Sequence, residues 1–170
     1  MSLLRTCSLA ALALVVHASV GRAEEHEGSE EAEGHEHHHH ANHVAVFVGA
    51  TTGLVDTHPT HATVGLDYER RLPFAEHIIG VGALVDSAFG DATETIVAPF
   101  VAVHPAGGLM ILGAVGVAMT GAFHDGHLAL RGGAAYFFPL GGFSIGPEVN
   151  VDRANGETAV VYGVSGGMGF

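Results

Sequence analysis

The chain has no tryptophan and no lysine, and its single cysteine, Cys7, stands among the first residues. A disulfide framework is thereby excluded, so the fold must rest on its core, its backbone hydrogen bonds or a membrane. Six arginines stand against 18 acidic residues, for a formal net charge of -12. Without clustered cations there is nothing to bind a phosphate backbone, which excludes nucleic acid as a partner. Long apolar runs are missing too. The stretch "LMILGAVGVAM", residues 109–119, follows His104 and Pro105 and reaches about half the roughly 20 residues a membrane-spanning helix needs. Ser144 and Ser165 lack a histidine and an acid at a nucleophile's spacing, so no enzyme and no organic cofactor is expected.

What is present begins with "MSLLRTCSLAALALVVHASVGRAEE". Arg5 supplies a short positive region, Leu9 to Val16 an apolar stretch, and Ala18, Gly21 and Ala23 the small residues of a cleavage site. Residues 1–23 are expected to be a secretory signal, cut after Ala18 or Ala23 and taking Cys7 with it. Residues 24–42 form a Glu/His-rich leader whose composition forbids a core and predicts disorder. Residues 24 to 43 hold seven Glu, seven His and no cation.

From His43 the pattern becomes a period-two alternation, broken by turn residues into eight segments: about 43–52, 61–71, 76–87, 93–104, 108–120, 126–138, 142–153 and 157–170. Each is close to the 9–11 residues that a tilted strand needs to cross a bilayer. The connections after the second, fourth and sixth segments are tight and carry Pro73, Pro105 and Pro139; the others are more polar and mostly longer. Short turns at one end and longer polar loops at the other fit an outer-membrane barrel, with its turns in the periplasm. In the seventh segment Phe143, Ile145, Val149 and Val151 alternate with Ser144, Gly146, Glu148, Asn150 and Asp152. In the second, Val64, Leu66 and Tyr68 alternate with Thr63, Gly65, Asp67 and Glu69. One face is apolar, and the other is small or polar enough to fill a narrow lumen. Tyr68, Phe74, Phe100, Tyr136, Phe138 and Phe143 fall near segment ends, as a periplasmic aromatic girdle would, and Phe47 is assigned inward. Pro99 and Pro147 interrupt two segments, and each demands a bulge or a shifted boundary.

Over residues 43–170 the chain resembles the small eight-stranded outer-membrane β-barrels of Gram-negative bacteria, the class that includes the OmpA-type transmembrane domain. The resemblance rests on strand count, alternation, loop asymmetry and the last segment, "VVYGVSGGMGF", ending on Phe170. It implies an all-β, antiparallel up-and-down transmembrane barrel in the outer membrane, contacting lipid, with Phe170 as the residue that the outer-membrane assembly machinery reads. It implies no catalytic residue, because architecture alone defines the class.

Candidate sites follow from this frame. The run "HEHHHHANH" offers His35, His37, His38, His39, His40 and His43 as ligands for zinc, copper or nickel in the periplasm. Weaker pairs are His58 with His61 and His124 with His127, each near an acid. Inside the barrel, Arg131 is placed mid-strand beside Glu148, with Asp67 and Glu69 approaching across the lumen; at least one of these carboxylates is expected to pair with it. The expected function is a non-enzymatic outer-membrane barrel whose leader binds divalent metal. The alternatives are a structural or surface-interaction barrel with an incidental His tail, a small channel, or a secreted soluble β-sandwich.

Overall fold

The computed structural model describes residues 41–54, 59–75, 77–90, 93–121 and 125–170, so the signal, His35 to His40, His58 and His124 lie outside the described residues. The strands are β1 (Asn42–Gly53), β2 (His61–Arg71), β3 (Ile79–Phe89), β4 (Glu94–Ala106), β5 (Leu109–Thr120), β6 (Asp125–Tyr136), β7 (Phe138–Leu140), β8 (Phe143–Ala154) and β9 (Glu157–Gly169). All pairings are antiparallel. β1 pairs with both β2 and β9, and β8 pairs with β9 on one side and with β6 and β7 on the other. β6 and β7 form one stave, so the result is a closed barrel of eight staves.

The register fixes the barrel's proportions. Residue pairs lead from His43 through Glu69, Gly82, Phe100, Ala114, Arg131, Asp152 and Ala159 back to β1 at Gly53, ten residues beyond the start. That offset requires staves tilted by about 40°, leaving an interior that side chains fill. The long strands hold eleven to thirteen residues, which at about 3.3 Å each and that tilt span about 30 Å, the thickness of a bilayer's hydrocarbon core.

Alternation sorts the side chains as their chemistry requires. Along β8, Phe143, Ile145, Val149 and Val151 are exposed, whereas Gly146, Glu148, Asn150 and Asp152 are buried. β2 follows the same rule, with Thr63, Gly65 and Glu69 buried. Phe47 points inward at 3% exposure. Inward glycines make room for the largest lumen groups: a Cβ on Gly49 or Gly163 would meet the Phe47 ring, one on Gly82 the Phe100 ring, and one on Gly65 the Asp86 carboxylate.

Four details depart from the sequence reading. Phe100 is 5% exposed and belongs to the lumen, because its position shares the parity of Ile96 and Ala98. The third strand begins at Ile79, since Pro73–Ala75 form a 3₁₀ turn and the amides of Ala75 and His77 donate to the Leu72 carbonyl. The connection "RANGE" is as tight as any: Asn155 and Gly156 both take positive φ, 51° and 82°, as a two-residue turn matched to strand twist requires. Finally, neither Pro99 nor Pro147 shifts the register. The β4–β5 ladder skips from Val97↔Val117 to Phe100↔Ala114 at an unchanged offset. The partner of β8 breaks between β6 and β7 opposite Pro147, again at an unchanged offset, while β9 keeps Val164 against it. Each proline's missing N–H thus falls on one side of its strand, and the ladder is given up there locally. The register does shift between Val103 and Ala106, around Pro105.

Candidate functional site in the barrel lumen

The lumen is divided lengthwise. The inward faces of β3 to β6 are mostly apolar, with Leu84, Ile96, Ala98, Phe100, Ala102, Met110, Leu112, Ala114, Ala118, Ala129 and Ala135 in one cluster. The inward faces of β8, β9, β1 and β2 carry most of the polar groups, which lie in three tiers.

At the end where β1 begins and β9 ends, Nε2 of His104 meets Oε1 of Glu69 at 2.6 Å. Nη2 of Arg71 lies 3.4 Å from Nδ1 of His104. Arginine only donates, so Nδ1 accepts and the His104 proton sits on Nε2, facing the carboxylate. Glu69 is 1% exposed and fits only because Gly80 has no Cβ to meet it. Beside this group, His43 Nε2 is 3.3 Å from the Ser144 hydroxyl, and its ring meets the Phe137 ring edge-on at 5.4 Å.

In the middle tier Glu148 accepts hydrogen bonds from Asn150 Nδ2, at 2.8 Å, and from the Ser165 hydroxyl. Asp67 faces Glu148 across a cavity of about 10 Å³, bounded also by Phe47 and Phe100. That is about the room one water molecule needs.

The third tier bridges the barrel. Arg131 donates from Nε to Asp152 Oδ1 at 2.6 Å and from Nη2 to Oδ2 at 2.7 Å, and its Nη1 donates to Asp86. Asp152 is its register partner on β8, whereas Asp86 reaches it from β3 on the opposite wall. A guanidinium 7% exposed is thus held side-on by one carboxylate and capped by a second.

Arg131 and Glu148 are inward and buried, as the alternation predicts, but they are not partners, and Asp67 and Glu69 do not bind the arginine either. The reason is register: Arg131 lies opposite Asp152, and Glu148 lies opposite Ala135, four residues along β6. Asp86, Asp152 and His104 were missed as site residues. All three share the inward parity of their strands, the signal that could have found them.

The histidines separate. His43 lies within β1 and faces the lumen, and the other five histidines of its run lie outside the described residues. His61 begins β2, its ring filling the space that a Cβ on Gly90 would need, and His127 is exposed at the loop-end rim of β6. The other members of the two loop pairs, His58 and His124, lie outside the described residues. Among the described residues no group of three or more His, Cys, Asp or Glu is disposed to hold a metal ion. Phe170 exchanges backbone hydrogen bonds with Asn42 at 3.0 and 3.1 Å, while Tyr68 Oη donates to the Asn42 side chain at 2.9 Å.

The arrangement therefore defines a closed eight-staved antiparallel barrel with an ion-paired, side-chain-filled lumen. Among solved structures it is similar to Ail, the attachment invasion locus protein of Yersinia pestis, crystallised in complex with the heparin analogue sucrose octasulfate. The TM-score is 0.55 at 12% identity, covering 76% of this chain and 97% of that one. It is also similar to Neisserial surface protein A, at 0.51 and 6% identity over 76% of this chain and 96% of that one. A de novo designed transmembrane β-barrel matches at 0.51 and 11%, over 72% and 92%. At these identities the likeness is one of fold. No family model matches the sequence, and no curated protein does.

Proposed function

We propose that the chain is a non-enzymatic barrel of the Gram-negative outer membrane, with its termini and short turns in the periplasm and its lumen closed to solutes. One observation carries this reading: the outward face is a continuous apolar belt. Val46 and Val48 on β1, Val101 on β4, Ile111 and Val115 on β5, Leu130 on β6, Val149 and Val151 on β8 and Val164 on β9 are each 44% exposed or more. Tyr68, Tyr136, Phe138, Phe143 and Phe170, all at least 42% exposed, collect toward the end where β1 begins and β9 ends. So large an apolar surface is stable when lipid covers it. Outer-membrane lipid and the assembly machinery, the latter reading the strand that ends on Phe170, are the partners this reading implies. In detergent the barrel from about residue 43 should be almost wholly β by circular dichroism and should change its gel mobility on boiling. A soluble monomer without detergent would overturn the membrane assignment.

The second part of the reading is that the Glu/His leader binds divalent metal. It is supported by the five imidazoles of His35 and His37 to His40, set among carboxylates immediately before β1. A peptide of residues 24–43 should take up zinc, copper or nickel near neutral pH. It should release the metal as pH falls through about 6.5, because protons compete for the same nitrogen lone pairs. Substituting His37, His38, His39 and His40 together in the full chain should remove most of the uptake and leave the barrel's thermal stability unchanged. Unchanged metal affinity in that variant would refute the leader site.

A further inference from the structure

The carboxylates of the strands keep to the inward side. The five lumen carboxylates, Asp67, Glu69, Asp86, Glu148 and Asp152, face inward, and Glu94 and Glu157 occupy inward-facing positions at the loop-end rim. Among the described strand residues no carboxylate takes an outward position, in a chain whose formal net charge is -12. The outward positions hold two charged residues, both arginine: Arg70 and Arg153. The other two described arginines, Arg71 and Arg131, are lumen groups with partners.

Arg70 and Arg153 are exposed and make no ion pair or hydrogen bond within the described residues. They stand at opposite margins of the apolar belt. Arg70 is one residue from the terminus-end tip of β2, opposite Asn42. Arg153 is one residue from the loop-end tip of β8, opposite Leu130 on β6 and Thr158 on β9. A guanidinium at the edge of hydrocarbon reaches along its own stem for polar groups. Fork-shaped and always charged, it fits the oxygens of a phosphate in particular.

We propose that Arg70 and Arg153 are contact points for phosphate-bearing anionic lipid headgroups, one at each margin of the membrane-facing belt. This inference rests on the membrane reading above and adds the class of lipid that the barrel prefers. Keeping carboxylates off the outer wall removes repulsion from such headgroups, and the two arginines supply the attraction. An arginine close to an anionic surface favours association by about fivefold.

The test uses the full chain folded in neutral detergent, with lipid adducts followed by native mass spectrometry. Phosphatidylglycerol should bind more tightly than phosphatidylcholine. Arg153→Gln and Arg70→Gln should each weaken one phosphatidylglycerol adduct by about fivefold, the double variant should lose the preference, and Arg153→Lys should retain most of it. Both side chains are exposed and unpaired, so circular dichroism and gel mobility should match the parent. Equal affinity for the two lipids in the parent, or an undiminished preference in the double variant, would overturn the proposal. Competition by inorganic phosphate would also overturn it, by showing an ion site instead of a lipid site. A parent that folds in detergent yet shows no preference loses this inference alone, whereas a parent that stays soluble without detergent loses the membrane reading with it.

Discussion

Arg131→Ala should lower the barrel's unfolding free energy by about 3–5 kcal/mol, read from urea unfolding in lipid vesicles. The effect is large because truncation leaves Asp86 and Asp152, which are 7% and 6% exposed, facing each other with no cation between them. Removing Asp152 should cost about as much, since Nε and Nη2 of the guanidinium would both lose their acceptor. The double variant Arg131→Met with Asp152→Leu should then cost less than the sum of the singles, because one change removes the charge that the other strands. Glu148 supplies the contrast. It is bonded to Asn150 and Ser165, so Glu148→Gln should couple to Arg131→Ala more weakly than a change at Asp152 does. Strong coupling between Arg131 and Glu148, with none between Arg131 and Asp152, would show that the β6–β8 register is wrong by four residues.

That contrast also marks where sequence reading reaches its limit. Parity along a strand is local information, and it placed Arg131, Glu148, Asp67 and Glu69 inward from the alternation of their own neighbours. Pairing between strands depends on shear, a property of the whole ring. Which carboxylate meets Arg131 was therefore not legible from any one segment: Asp86 comes from the far wall, and Asp152 lies four residues along β8 from Glu148. The prolines show the same division. A proline reads as a broken ladder, but whether the break becomes a bulge depends on which neighbouring strand the missing N–H faces. Pro99 and Pro147 lose pairing on one side at a constant offset, and the register shift falls at Pro105. Phe100 was misassigned because it was read as near a strand end. The strand continues to Ala106, so Phe100 lies at mid-height and fills the space over Gly82. The Arg71–His104–Glu69 group was missed because its members come from the ends of two strands that are not neighbours.

Val115→Arg should separate a lipid-covered wall from a water-covered one. Val115 lies mid-strand on β5, outward and 55% exposed, between the inward Ala114 and Gly116. If hydrocarbon covers this position, a guanidinium there must be buried in lipid or must pull water and headgroups inward, at a cost of about 2–4 kcal/mol near the bilayer midplane. Thr95→Arg, on the outward face one residue from the loop-end tip of β4, should cost about 0–1 kcal/mol, because the same charge reaches the headgroup region. Val115→Leu should be nearly neutral and controls for shape. The measurement is urea unfolding in vesicles of neutral lipid, so that attraction to anionic headgroups does not offset the burial of charge. On a protein surface facing water, both arginine substitutions would fall within about 0.5 kcal/mol of the parent. Depth dependence is the diagnostic result: a large loss at Val115 with a small one at Thr95 places the midline of the apolar belt at the centre of a bilayer, and equal small losses would remove the barrel from the membrane.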